Sequence, residues 1–235
     1  MAEDFEFNEG VASIFDDMLL RSIPHYAEIQ RMNVELAQRF AQPGSVVVDL
    51  GCSLGTTLIS IARGIKDPSV RFLGVDNSQP MLERARRNLE EAGIAERCEL
   101  RAADLNDEID LGNASVVTMN WTLQFVRPLN RDRVIRRIHD GLNDHGCLIV
   151  FEKVLGDESL LNRMYIDLYY DFKRRNGYSD LEIAEKRERL ENVLIPYRID
   201  DNLQLLKRNG FAVHDVVFRW YNWAGFLAVK METRQ

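Results

Sequence analysis

Along the chain, short runs of β-branched and other apolar residues alternate with stretches whose apolar positions recur every three or four residues. From residue 45 the order is "SVVVDL", a helix near 55–64, "RFLGVD", a helix from Gln79 to Ala92, "CELRAAD", "SVVTMN", a helix from Asp132 to Leu142, and "CLIVFE". Runs this short and apolar read as strands, and the longer 3.6-residue period reads as helix. Strands without a polar face are buried on both sides, which calls for helices above and below a parallel sheet. The expected class is α/β, a Rossmann-like, mostly parallel, doubly wound sheet. In that architecture a ligand sits at the carboxyl ends of the strands.

The flanks depart from the alternation. Val11, Ile14, Phe15, Met18 and Leu19, then Ile29, Met32 and Leu36, fall at helical spacing, and Pro24 interrupts them. Residues 11–40 therefore predict two helices with a turn at "SIPHY". After Lys153 the stretch "LLNRMYIDLYYDFKRRNGYSDLEIAEKRERLENVL" predicts two more helices, joined at Asn176-Gly177-Tyr178. A helix from Asp201 to Asn209, ended by Gly210, precedes "AVHDVVFRW" and "GFLAVK". These two runs read as an antiparallel pair, turning around Ala224-Gly225, that closes the sheet edge. One domain follows: N-terminal helices over 1–42, a core over 43–153, a helical insertion over 154–198 and core completion over 199–235.

The stretch "VVDLGCSLGTT" carries the first chemical signal. It has the form acid-x-Gly-x-Gly-x-Gly of an S-adenosylmethionine loop, with Asp49 as the acid, Gly51 and Gly55 as outer glycines, and Ser53 in the middle glycine's place. A glycine turn alone is weak, because strand-to-helix turns use glycine whether or not they bind anything. Asp76 strengthens it by ending the next strand about 25 residues on, where a carboxylate accepts from ribose hydroxyls. Asp104, ending "CELRAAD", stands where an acid can accept from an adenine amino group, although a turn acid or helix cap would look the same. A pyrophosphate is repelled by three carboxylates, whereas a sulfonium and an ammonium are attracted. The loop also lacks G-x-G-x-x-G and G-K-[ST]. Asn120 ends the fourth strand facing the group to be transferred, without the Pro-Pro-aromatic sequel suited to methylation of a planar nitrogen.

Composition narrows the partners. The 235 residues carry a formal net charge of −7, which argues against broad phosphate-backbone binding, so no direct nucleic-acid contact is expected. Cys52, Cys98 and Cys147 show neither a disulfide framework nor zinc-ligand spacing. No metal is expected, and a reducing cytoplasm fits. "MAEDFEFNEG" lacks the order of a signal peptide, and no apolar run is long enough to span a bilayer, so a soluble protein is expected.

"SIPHYAEI", "DLGCSLGTT", "GVDNSQPMLER", "NWTLQF", "DFKRRNGYSDLEIAEKRERLENV" and "YNWAGFLAVK" together resemble the carboxy-S-adenosylmethionine synthases of bacterial tRNA wobble-uridine modification, from about Phe7 to Lys230. Many methyltransferases share the loop and "VDNSQPM" in weaker form; "FKRRNGYS…EKRERLENV" is specific. The resemblance implies a class I S-adenosylmethionine-dependent methyltransferase fold that transfers no methyl group. S-adenosylmethionine and prephenate would give carboxy-S-adenosylmethionine and phenylpyruvate, and a partner tRNA carboxymethyltransferase would use the product. Prephenate gains aromaticity on losing CO2 and hydroxide; the hydroxide deprotonates the S-methyl group, and the resulting sulfonium ylide captures CO2 in a site closed to water.

By motif position the resemblance implies that Tyr26, Gly51, Cys52, Ser53, Asp76, Asn77, Asp104, Leu105 and Asn120 bind the cofactor. It implies that Arg187 holds the carboxylate through its planar fork. From its own surroundings Arg187 reads as part of a solvated, charge-rich helix face. Lys173, Arg174 and Tyr178 are expected at an anionic pocket or a dimer contact, and the resemblance implies a homodimer with these helices near the active site. Departures from the family pattern are a start about a dozen residues late, "NDHG" in place of a Pro-Gly-Gly turn, and Trp121, Pro196, Tyr197 and Trp223. Two other readings share the loop and acids: a conventional methyltransferase acting on a small molecule or tRNA, and a non-catalytic cofactor-binding protein.

Overall fold

A computed structural model describes residues 17–107 and 109–232. Val11, Ile14 and Phe15 of the first expected helix lie outside the described residues. Its remainder is helical over 17–22 (α1), and the chain turns at Pro24 and at His25, whose φ is 55°. The elements that follow are α2 (Tyr26–Phe40), β1 (Val46–Leu50), α3 (Thr56–Gly64), β2 (Arg71–Asp76), α4 (Gln79–Glu91), β3 (Cys98–Ala102) and β4 (Ala114–Asn120). Then come α5 (Pro128–Gly141), β5 (Leu142–Leu155), α6 (Ser159–Arg175), α7 (Asp180–Leu190), β6 (Tyr197–Arg198), α8 (Ile199–Arg208), β7 (Val213–Trp220) and β8 (Trp223–Val229).

The sheet runs β3-β2-β1-β4-β5-β8-β7, parallel through β5 and antiparallel at β8 and β7; β6 pairs with β5 off this path. Strand order reverses between β1 and β4, and there the crevice at the strand C-termini opens. The alternation of side chains across the pleat explains why the central strands read as unbroken apolar runs. Val48, Leu50, Val117, Met119 and Val150 face a core shared with α5 and α8 residues such as Ile135 and Leu205. Val47, Val116, Ile149 and Phe151 face the other core with Ile29, Leu58 and Tyr169. All seven residues of β4 are buried.

Three expectations shift. The hairpin between β7 and β8 turns at Tyr221 and Asn222, not at Ala224-Gly225, which lie within β8. Gly225 is there for packing: a Cβ would stand 2.4 Å from the Phe151 ring. Helix α5 starts at Pro128 rather than Asp132, since proline suits the first helical turn, where its missing N–H has no intrahelical partner. Strand β5 extends through "NDHG" on one side and to Leu155 on the other, with His145 itself left-handed at φ 62°.

The loop after β1 depends on Gly51, at φ 76° and with a would-be Cβ 2.3 Å from Thr122 Oγ1. Gly51→Ala is expected to cost about 3 kcal/mol, since left-handed strain and overpacking add. Gly44→Ala is the control, because Gly44 has φ 73° with open space around it; strain alone costs about 1 kcal/mol. Thermal unfolding of the two variants checks the difference.

Candidate functional site

The acid end of the cleft is built by the β1–α3 loop. Residues 51, 53 and 55 are left-handed, with φ of 76°, 51° and 77°, so Ser53 takes the conformation the expected middle glycine would take. That costs a serine roughly 1–2 kcal/mol. Hydrogen bonds offset it: the Gly51 and Cys52 amides donate to the Val75 carbonyl at 2.8 and 3.0 Å, and the Ser53 amide donates to Asp76 Oδ2 at 2.9 Å. Asp76 Oδ1 accepts from the Ser78 amide at 2.9 Å, so one carboxylate ties the loop to the start of α4. A carboxylate has about four lone-pair sites, so these backbone amides leave capacity for a ligand hydroxyl. The Ser53 hydroxyl lies 3.6 Å from Met81 Sδ, inside the protein. The Cys52 thiol is buried and its pKa pushed well up by desolvation, so this residue offers backbone rather than a thiolate.

Asp49 stands beneath the loop, opposite Thr118 in the β1–β4 register, and accepts from its hydroxyl at 2.6 Å. Burial, opposed by that bond and reinforced by Asp76, raises its pKa to about 7. Burial likewise raises Asp76, against the pull of the Ser78, Ser53 and Asn77 amides. Asp104, half-buried after β3, closes a turn by accepting from the Asn106 amide and side chain, both at 2.7 Å. Asn77, exposed, and Leu105, half-buried, line the same cleft.

Asn120 is buried at the end of β4, its amide nitrogen 3.3 Å from Thr57 Oγ1 and 3.4 Å from Asn33 Oδ1. Its own Oδ1 has no hydrogen-bond partner among the described residues. The next residue, Trp121, is left-handed at φ 58° and packs on Tyr26 with ring centroids 5.5 Å apart. Buried Glu152 fixes this turn by accepting from the Leu123 and Gln124 amides at 2.8 and 3.0 Å. Gln124 ties three segments together: its side chain donates to Trp121 O and accepts from the Lys153 amide, and its carbonyl accepts from Ile195 N.

The opposite wall is cationic. Lys153 lies two residues before the end of β5, Lys173 sits on α6, and Lys186, Arg187 and Arg189 sit on α7; all line the cleft, which has a volume of about 720 Å³. Desolvation lowers Lys153 to about 8 and Lys173, also repelled by Lys153 and Lys186, to about 7. Helix α7 is set by a capping box in which Ser179 and Glu182 satisfy one another's backbone amides. Arg187 keeps much of its side chain exposed on the cleft, with no carboxylate or hydrogen-bond partner among the described residues. Arg174 is turned away from the cleft, paired with Asp171 and Asp180 at 2.8 Å. Tyr178 holds Lys186 Nζ at 2.6 Å and Ser22 Oγ at 2.9 Å.

The structure thus brings all ten sequence-predicted residues to one cleft: Tyr26, Gly51, Cys52, Ser53, Asp76, Asn77, Asp104, Leu105, Asn120 and Arg187. Sequence reasoning missed Lys153, Lys186 and the Gln124–Glu152 brace. A lysine near the end of a strand, or one more charge on a charged helix, has no local signature. The donor set suits S-adenosylmethionine: unused carboxylate lone pairs stand for ribose hydroxyls, and acids of a cleft floor face its positive charges. No cluster of three or more His, Cys, Asp or Glu able to hold a metal occurs among the described residues, and no described helix is long and apolar enough to cross a membrane.

A methyltransferase domain model matches residues 47–146. Among solved structures, a putative S-adenosylmethionine-dependent methyltransferase of Methanococcus maripaludis superposes with a TM-score of 0.65 at 17% identity, covering 100% of this chain and 99% of that one. The carboxy-S-adenosyl-L-methionine synthase of Methylococcus capsulatus is 53% identical over 97% of this chain and 94% of its own length. The chain belongs to the carboxy-S-adenosyl-L-methionine synthase family. The synthase of Sulfurimonas denitrificans is 45% identical over 97% of this chain and 95% of its own length. As a member of the carboxy-S-adenosyl-L-methionine synthases, the protein is an S-adenosylmethionine-dependent transferase of the class I fold. Trp121, Pro196 and Trp223, which depart from the family pattern read from the sequence, all line the cleft.

Proposed function

We propose that the protein converts S-adenosylmethionine and prephenate to carboxy-S-adenosylmethionine, phenylpyruvate and water. A tRNA carboxymethyltransferase would take the product to wobble uridine, and the protein would act as a cytoplasmic homodimer. The observation that carries this reading is the two-signed cleft. Carboxylates at one end suit a cationic nucleoside, and a wall of lysines and arginines at the other suits a dicarboxylate. S-adenosylmethionine brings one carboxylate of its own, on its methionine part, and three lysines and two arginines are more cations than that single charge calls for.

The atoms balance. The prephenate C–C bond to its ring carboxylate breaks as CO2 leaves, the ring C–O bond breaks with its electron pair on hydroxide, and the ring becomes aromatic. Hydroxide takes one proton from the S-methyl carbon and leaves as water. That carbon then bonds to CO2. In this scheme Arg187 holds the carboxylate before and after transfer through two parallel N–H donors. Asp76 and Asp104 hold the ribose and adenine, and Tyr26 with Trp121 covers the site against water.

Asp49 makes the first step pH-dependent. Its pKa, raised to about 7, means that its neutral form stabilises the free protein; this contribution is complete below the unfolded value near ~4 and lost as pH rises through about 7. A bound cation favours the ionised form. S-adenosylmethionine affinity is therefore expected to rise between roughly pH 6 and 8, with proton release on binding near neutrality. Calorimetry in buffers of different ionisation enthalpy checks this, and Asp49→Asn should flatten the profile. The reading itself is tested by the mass of the nucleoside formed from prephenate.

A further inference from the structure

Three lysines on three elements crowd around two buried tyrosines. Lys153 Nζ and Lys173 Nζ lie 4.9 and 4.8 Å from the centroid of the Tyr169 ring. Lys173 Nζ is also 5.8 Å from the Tyr178 centroid, and Lys186 Nζ is 4.4 Å from it. Lys186 is hydrogen-bonded to the Tyr178 hydroxyl; the ammonium groups of Lys153 and Lys173 have neither a hydrogen bond nor a carboxylate partner among the described residues. Lys173 is only 7% exposed. A nearly buried ammonium without a counter-ion is costly, and ring faces offset only part of that cost.

The surrounding groups are also unsatisfied. Trp223, paired with Lys153 across β5 and β8, packs edge-on to Tyr169 at 5.6 Å, and its indole N–H has no partner among the described residues. Neither does either side-chain atom of Asn222, which is 1% exposed. All four residues line the cleft. Two ammoniums, an indole N–H and an amide form a donor-rich pocket that an anion with several acceptor oxygens would complete.

We propose that Lys153 and Lys173 form a second carboxylate subsite, separate from Arg187, which takes the side-chain α-keto acid carboxylate of the substrate while Arg187 takes the carboxylate that is transferred. This rests on the proposed function. Prephenate carries two carboxylates, and one charged anchor would leave it free to pivot; two anchors at different points fix the ring against the S-methyl group. Desolvation lowers the pKa of both lysines, and an anion bound between them would favour their charged form.

Phenylpyruvate, which keeps only the side-chain carboxylate, is the probe. Inhibition of the prephenate reaction by phenylpyruvate should weaken roughly 10-fold or more in Lys153→Met and in Lys173→Met, each of which keeps the apolar stem. S-adenosylmethionine affinity, measured by calorimetry on the same preparations, should stay within about threefold, and an unchanged thermal unfolding midpoint reports an intact fold. Direct calorimetric binding of phenylpyruvate to the S-adenosylmethionine complex gives the same comparison without turnover. Wild-type affinity for phenylpyruvate in both variants overturns the proposal. Loss of S-adenosylmethionine binding in both variants also overturns it, because the lysines would then hold the methionine carboxylate of the nucleoside. If the wild-type protein makes no carboxy product from prephenate yet binds phenylpyruvate through the two lysines, the proposed function fails and the subsite stands.

Discussion

Arg187→Ala leaves S-adenosylmethionine affinity within about threefold and lowers carboxy product formation by roughly 30-fold or more, the loss expected for one charge-assisted, bidentate contact. The side chain lies on α7 and makes no hydrogen bond or ion pair with the loop and acids proposed to hold the nucleoside, so truncating it removes no such contact to them. Because the guanidinium has no protein carboxylate partner among the described residues, its removal breaks no internal ion pair. Arg187→Lys should restore only part of the rate, since a point charge replaces a planar fork. Calorimetry for the nucleoside and product quantification by mass spectrometry separate the two effects. Full activity in Arg187→Ala would remove the residue from the mechanism.

Asp76→Ala has the opposite signature, an affinity for S-adenosylmethionine lowered by roughly 100-fold in the absence of prephenate. The carboxylate holds two backbone amides, at Ser53 and Ser78, and its free lone pairs are assigned to the ribose. Removing it leaves both amides without their acceptor, at roughly 1–3 kcal/mol for each buried group, and releases a left-handed serine from the bond that steadies it. Asp76→Asn keeps one acceptor oxygen and should fall between. Calorimetry without the second substrate provides the measurement, and wild-type affinity in Asp76→Ala would contradict the assignment.

These two variants probe parts of the site that differed in how far they could be read from the chain. The acid end was legible because its parts are local. A strand, a glycine turn and an acid at the next strand's end lie within thirty residues, and parallel pairing brings adjacent C-termini together. Ser53 looked like a substitution of the loop pattern; its φ of 51° shows that the backbone keeps the glycine's conformation while the side chain turns to Met81. The basic end was not legible in this way. Lys153, Lys173 and Arg187 are separated by up to 34 positions, as their numbers give, and meet only because α6 and α7 fold back over the strand ends. Read locally, Arg187 was one charge among many, and only the resemblance singled it out. Arg174, two residues from Asn176 and equally basic, turned out to serve surface pairs. The hairpin turn was misplaced for a related reason: Gly225 signalled a bend, but the Phe151 ring across the sheet needed its missing side chain.

In the proposed reaction this fold carries CO2, not a methyl group, between its two substrates. Incubation of the protein with S-adenosylmethionine and prephenate, followed by mass measurement of the nucleoside, tests it most directly. The expected product is a nucleoside heavier than S-adenosylmethionine by about 44 mass units, the mass of the added CO2, formed with one equivalent of phenylpyruvate and without a methyl acceptor. Appearance of S-adenosylhomocysteine alone, and only when an acceptor is supplied, would contradict it and identify a conventional methyltransferase.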